Sequence, residues 1–178
     1  MGPHADALAT LGSWRPTAIG QEPLRQAFLS FLLARRDACA RSCEPGHLTA
    51  SAVVLDAAHA RVLLTLHPRV GRWLQLGGHC EPGDPTLLAA SLREAVEESG
   101  IDGLRIEPEP LHLDVHPVTC SLGVPTRHFD VQFLVHAAPG AREVRSAESV
   151  DLRWWPVDAL PEDSDEIAEL VALALARA

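Results

Sequence analysis

The sequence predicts an α+β sandwich, and three observations carry that prediction. Strand-like and helix-like segments follow one another without the regular alternation that a doubly wound sheet requires. The 178 residues suffice for one ordinary domain, and a hydrophobic content of 47% can supply its core. Two segments in the second half alternate apolar and polar residues with period two, while a glutamate-rich segment and the C-terminal segment repeat at helical spacing.

Residues 1–21 show weak periodicity with scattered glycine and proline, and they read as a loose arm. From Glu22 to about Arg41, the spacing of Leu24, Ala27, Phe28, Phe31 and Leu32 predicts an amphipathic helix, which "CEPGH" breaks. "LTASAVVLD" and "ARVLLTLH" are rich in leucine and valine and closely connected, so they read as paired strands. "RWLQLGG" is a shorter extended piece that enters a glycine turn. A helix from about Thr86 to Ser99 ends at Gly100, a natural residue just past a helix end. Strands follow around Leu111–Val118 and Arg127–His136, and "LRWWPV" reads as a last short strand. Ile167, Leu170, Val171, Ala174 and Leu175 then mark a C-terminal amphipathic helix. No internal repeat is visible. The chain divides into an N-terminal arm and helix (1–46), packed on a main domain (47–178).

A net charge of −9 argues against nucleic acid or an anionic membrane as a partner. An acidic protein that handles phosphates needs metal ions to neutralise them. All fifteen basic residues are arginine, which excludes Schiff-base chemistry and the lysine of a phosphate-binding P-loop. Tyrosine is absent. Cys39, Cys43, Cys80 and Cys120 are too sparse for a small secreted scaffold, no apolar run reaches membrane-spanning length, and a reduced cytoplasmic protein is expected.

The stretch "REAVEESG", residues 93–100, crowds three glutamates before a glycine. At about 100° per residue, Leu88, Leu92, Ala95, Val96 and Ser99 share one side of the helix, and Glu94, Glu97 and Glu98 cluster roughly opposite. Glu94 and Glu98 are four apart, so on an exposed helix they repel by a few tenths of a kcal/mol. They also lie near the C-terminal, negative end of the helix dipole. A divalent ion bound by hard oxygen ligands reverses both penalties. The alternative is a solvated acidic face. Upstream, "GGHCEPGD" places Gly77–Gly78 where the backbone can approach a metal or a phosphate closely.

From Gly78 to Ile101, "GHCEPGDPTLLAASLREAVEESGI" resembles the Nudix box: glycine, five residues, glutamate, seven residues, then Arg-Glu-apolar-x-Glu-Glu-x-Gly-apolar. The second half matches at every defined position, namely Arg93, Glu94, Ala95, Glu97, Glu98, Gly100 and Ile101. The first half departs. After five intervening residues stands Asp84 rather than glutamate, and eight residues separate it from Arg93. Either Thr86 caps the helix with Asp84 in the loop, or Asp84 caps it with Pro85 at the first helical position.

The resemblance implies an α/β/α sandwich with a mixed sheet, and Mg²⁺- or Mn²⁺-dependent hydrolysis of a nucleoside diphosphate linked to another moiety. Glu94, Glu97 and Glu98 would be metal ligands, joined by the Gly78 carbonyl, and Arg93 would orient a glutamate. The general base is Glu94 or Glu148, the latter in a loop before the last strand. The partner is a small-molecule diphosphate, a nucleotide derivative, whose identity the sequence leaves open. Homodimers are common in the family, and the N-terminal segment could supply such a contact, without direct sign of one in the sequence. A Nudix-fold sensor that binds nucleotide without turnover is the alternative, opposed by retention of all three helix glutamates.

On the two long strands, His112, Asp114 and His116 alternate with Leu111, Leu113 and Val115, and His128, Asp130 and Gln132 alternate with Phe129, Val131 and Phe133. If the strands pair antiparallel, one face carries a double row of histidine and carboxylate. This face is expected to border the substrate cleft, binding phosphate through cationic histidine or holding a further metal; the alternative is a hydrogen-bonded surface network. His79, after the double glycine, is a further candidate to face substrate. Cys39, Cys43 and His47 have a zinc-like spacing, although two cysteines a helical turn apart are more often plain core.

Overall fold

Small and β-branched residues let β1 (His47–Leu55) run through the middle of a sheet, buried along its whole length. The computed structural model describes residues 2–119, 123–147, 149–162 and 164–178. Around β1 stand β2 (Arg61–Leu66), β3 (Trp73–Leu74), β4 (Leu76–His79), β5 (Arg105–Thr119), β6 (Pro125–His136) and β7 (Asp151–Pro156). The helices are α1 (Pro3–Ser13), α2 (Gln21–Ala34), α3 (Leu87–Ser99) and α4 (Asp165–Arg177). The main path of the sheet is β3-β2-β1-β6-β5, with β4 also paired to β1 and β7 to β2. The pairing of β1 with β6 is parallel and the others are antiparallel, so the sheet is mixed.

Strand periodicity assigns the two faces. Leu48, Ala50, Val131 and Phe133 pack with Leu11, Phe28 and Leu32 of α1 and α2 and with Leu87 and Ala90 of α3. Further along the same face, Ala52, Val54 and Val135 pack against Ala95 of α3. On the opposite face, Val53, Leu55 and Leu134 lie under Ile167, Leu170, Val171 and Ala174 of α4. This is the expected α+β sandwich with helices on both sides. The α4 face is apolar only in part, because the alternating positions earlier on β1 are His47, Thr49 and Ser51. A register shift between Pro110 and His112 moves Leu111 to the α4 side, apart from Leu113 and Val115 on the other face.

Two expectations need correction. Residues 1–21 are not a loose arm, for they contain α1, with Pro3 at its start and Ala7 and Leu11 fully buried. Arg25 fastens α1 to α2 by donating from Nη1 to the Leu11 carbonyl at 2.8 Å, a cation at the negative end of α1. The second helix ends at Ala34, short of Arg41. Arg35 turns extended, and Leu48 N–H donates to the Ala38 carbonyl at 2.7 Å, so the start of β1 draws this segment out of helical geometry. Cys39 and Cys43 are therefore in turns rather than one helical turn apart, and with Cys80 they are buried free thiols. Cys120 lies outside the described residues.

Because Leu11 is buried against the body of the sheet, Leu11→Ala should destabilise the chain by about 2–5 kcal/mol in urea unfolding. An undocked arm would give a change near zero.

Candidate active site

The sequence of α3 explains where the helix begins and ends. Thr86 Oγ1 accepts the Ala89 N–H at 3.0 Å, so Thr86 is the cap and Asp84 belongs to the loop. The Leu87 N–H donates to Asp6 Oδ2 of α1 at 2.8 Å, which places a carboxylate at the positive end of the helix dipole. Gly100, at φ 63°, ends the helix in the left-handed region that glycine adopts without strain.

Arg93 organises the carboxylates. Its Nε and Nη2 donate to the two oxygens of Asp84 at 3.1 and 3.0 Å, a two-pronged pair. Nη2 also donates to the His79 carbonyl at 2.9 Å, while Nη1 donates to Glu94 at 3.0 Å and Glu97 at 2.9 Å. Burial alone would raise the Asp84 carboxyl, but hydrogen bonds from Arg93 and from the Glu81 N–H outweigh it and hold it below the usual carboxylate range. The hydrogen bond to Asp84 likewise raises the Arg93 guanidinium. Asp84, with one carbon less than glutamate and one residue more before the helix, thus reaches Arg93 from the loop.

The three glutamates do not share one solvated face. Glu97 is 58% exposed at its side chain, whereas Glu98 is only 8% exposed as a residue and its Oε2 accepts the Gly77 N–H at 2.9 Å. The reason is that α3 packs on two sides, against the core and against β4. A Cβ on Gly78 would meet the Glu94 carboxylate at 2.7 Å, so only a residue without a side chain leaves that carboxylate in place. Glu94 and Glu97 meet at Arg93 Nη1, and Glu98 stands at the bare backbone of Gly77. Carboxylates are hard oxygen donors, the chemistry that suits a Mg²⁺-like or Mn²⁺-like ion.

On the sheet face beside α4, the register aligns three polar rows. His47, His128 and His116 form the first, Thr49, Asp130 and Asp114 the second, and Ser51, Gln132 and His112 the third. The antiparallel pairing expected for the two long strands is present, and β1 extends each row. Asp130 is 1% exposed and accepts from Thr49 at 2.7 Å, Ser51 at 2.8 Å, Gln132 at 3.1 Å and Gln75 at 3.4 Å. Its carboxylate ties β1, β6 and the residue before β4 together. His79 on β4 stands opposite Thr49 and so extends the second row, while its ring meets those of His47 and His128 in the first.

The histidines divide electrically. Burial pushes the His79 imidazole down to about 4, aided by Arg41, and pushes His128 down to about 3. Both are neutral near pH 7 and unsuited to binding phosphate as cations. His116 is raised, chiefly because its Nδ1 and Asp114 Oδ2 share a 2.6 Å hydrogen bond, and Asp114 is lowered by the same bond. Glu148 lies outside the described residues. Trp14 is buried in the core, and Trp73 meets Trp155 edge to face.

Sequence reasoning missed the pairing of Asp84 with Arg93 and the presence of His47 and Gln75 around the polar rows. For His47 a signal existed, since it shares strand parity with Thr49 and Ser51. For Gln75 there was none, because a residue between two short strands has no period to read.

The family model described as NUDIX domain matches residues 45–174. The chain belongs to the NUDIX domain family. Among solved structures, an Ap4A hydrolase from C. elegans in a binary complex aligns at 20% identity and TM-score 0.56, covering 73% of this chain and 96% of that one. A MutT NUDIX hydrolase from Burkholderia pseudomallei aligns at 23% identity and TM-score 0.51, covering 71% and 95%. An ADP-ribose pyrophosphatase from Streptococcus suis aligns at 19% identity and TM-score 0.50, covering 74% and 92%. At these identities the likeness speaks for the fold. A comparison with curated proteins returned no match. Within this NUDIX domain, the box helix is α3 and the box loop runs from β4 to Thr86.

Gly77, just before the box, and Gly78, its first residue, should respond differently to alanine. At Gly77, φ is 147° and a Cβ would lie 2.5 Å from the Ser51 Cα, so Gly77→Ala should impair folding, seen as a lost or broadened thermal transition. At Gly78 the obstacle is the end of a flexible side chain. Gly78→Ala should fold normally yet bind Mn²⁺ about 10-fold more weakly, as when a ligand loses its support.

Acidification supplies a second check. His79 and His128 have folded values below the ordinary 6.5, so the unfolded chain binds their protons more readily. Their contribution to stability is intact above the unfolded value and falls as pH drops from about 6.5 towards about 4. His116, raised when folded, contributes with the opposite sign and is lost as pH rises through its folded value. Urea midpoints across this window should therefore fall less steeply with acid in His128→Gln than in the wild type.

Proposed function

We propose that this Nudix hydrolase is a Mg²⁺- or Mn²⁺-dependent pyrophosphohydrolase that cleaves the diphosphate linkage of a nucleoside diphosphate joined to another moiety. The observation that carries the reading is the arrangement of Glu94, Glu97 and Glu98 on α3 beside Gly77–Gly78, with Arg93 anchoring the first two. Glu94, Glu97, Glu98 and the Gly78 carbonyl would hold the cation. When bound, it would neutralise the diphosphate and lower the pKa of the attacking water.

The chain's own residues have distinct tasks. Arg93 draws Glu94 and Glu97 together without touching substrate, and Asp84 and the His79 carbonyl hold Arg93. The Gly77 N–H fixes Glu98. Glu94 is our choice for the group that accepts the proton as water attacks phosphorus, with Glu148 the other candidate. The bridging oxygen leaves with one phosphoryl group, and positioning with charge compensation accounts for most of the rate. On the polar face, His116 with Asp114 is the group suited to an anionic substrate, and neutral His79 and His128 could only donate or accept hydrogen bonds. The neighbours whose names specify Ap4A and ADP-ribose support a nucleotide-derived diphosphate without choosing between those substrates.

The test is a panel of nucleotide-derived diphosphates and triphosphates assayed with and without Mg²⁺. At least one should be turned over only with the cation. Glu98→Gln should lower kcat by at least about 100-fold, since loss of a mere supporting partner already costs up to that much. Ligand-induced melting shifts without turnover of any substrate would overturn the reading in favour of a sensor.

A further inference from the structure

Three strands bring imidazoles to one place that the carboxylate site does not use. His47 opens β1, His79 closes β4 and His128 lies on β6, and one ring nitrogen of each falls within 4.8 Å of the others. The rings are 4.9 Å apart for His47 and His79, 5.0 Å for His47 and His128, and 5.0 Å for His79 and His128. We propose that His47, His79 and His128 form a second cation site, one that takes a borderline divalent ion such as Zn²⁺ in preference to Mg²⁺.

Two details of the hydrogen bonding point to a ligand. His128 Nε2 is buried and has no hydrogen-bond partner among the described residues. A buried polar atom left so is destabilising, and a coordinated ion removes that cost. His47 Nδ1 faces the Cys43 carbonyl at 3.4 Å, the backbone support that typically orients a metal-binding imidazole. With its hydrogen there, His47 presents the lone pair of Nε2 towards His79 Nε2, 3.1 Å away.

The spacing suits the ion. Metal–nitrogen bonds of about 2.05 Å in a tetrahedron put ligand nitrogens about 3.3 Å apart. The His47–His79 pair is already near that value, and an adjustment of about 1.5 Å would bring in even the widest pair allowed by the cluster. Three protein ligands leave a fourth position open to water. Neutral imidazole is a poor ligand for Mg²⁺ and a good one for Zn²⁺, Cu²⁺ or Ni²⁺, which separates this site chemically from the glutamates of α3.

One contact must change. Arg41 Nη2 lies 3.1 Å from His79 Nδ1, and a guanidinium can only donate. In this arrangement His79 therefore carries its hydrogen on Nε2, directed at His47. Binding an ion at Nε2 shifts that hydrogen to Nδ1 and displaces Arg41, an exposed side chain.

The experiment is a Zn²⁺ titration of the full chain in excess Mg²⁺, in competition with a chromophoric chelator. One equivalent should bind, at least about 10-fold more weakly in His128→Ala and in His79→Ala. Glu97→Gln and Glu98→Gln should leave the Zn²⁺ affinity unchanged, which separates this result from the fate of the proposed activity. Since truncation on a half-buried strand face can disturb the sheet, X-ray absorption of the Zn²⁺-loaded wild type provides a measurement without variants. A first shell with three imidazoles supports the site. An oxygen-only shell, a shell containing sulfur from a cysteine, loss of binding in Glu98→Gln with retention in His128→Ala, or no saturable binding in Mg²⁺ would each overturn it.

Discussion

Arg93 is the residue on which the arrangement of the carboxylate site turns. Three glutamates within five positions repel one another, and Glu98 is nearly buried, where an uncompensated charge is most costly. The guanidinium offsets that repulsion at Glu94 and Glu97 while its other prongs grip Asp84 and the His79 carbonyl. One planar group thus fixes both the helix carboxylates and the loop beside them. Lysine, a point charge on a flexible stem, could not make these directional contacts at once. The departure from the usual box follows from the same geometry, since an aspartate one residue further back still meets both nitrogens of the fork.

The second organising constraint is the parallel pairing of β1 with β6. It sets His47 beside His128 and Thr49 beside Asp130, so alternation on two strands distant in sequence becomes a continuous polar surface. The α4 helix covers the apolar end of this face and leaves the polar end to hydrogen-bonded side chains. Asp130 shows the physical requirement, for a carboxylate this buried needs several donors, and it has four. The same surface brings the histidines of three strands together, next to the loop that Arg93 anchors through the His79 carbonyl.

The N-terminal residues are coupled to this region more closely than their composition suggested. Glycine and proline around residues 1–21 masked α1, although Pro3, Ala7 and Leu11 already had the spacing of a short buried helix. Asp6 receives the first N–H of α3, so α1 supports the glutamate helix across a large gap in sequence. The overlong reading of α2 had the opposite cause. The apolar periodicity continues past Ala34, but backbone pairing with Leu48 outweighs local helical preference.

By itself the sequence determined the α+β class, the glutamate helix with its glycine stop, and the alternation of the two long strands. Each of these depends on local spacing, which the backbone periods of 3.6 and 2 convert directly into faces. The tertiary structure alone decided that Asp84 pairs with Arg93, that Thr86 is the cap, that Glu98 is buried against Gly77, and that His47 joins His79 and His128. All but the cap depend on packing α3 against β4 or on the register of strands far apart in the chain. The cap was a local choice between two residues on either side of Pro85, and the pairing of Asp84 with Arg93 leaves Thr86 to make it.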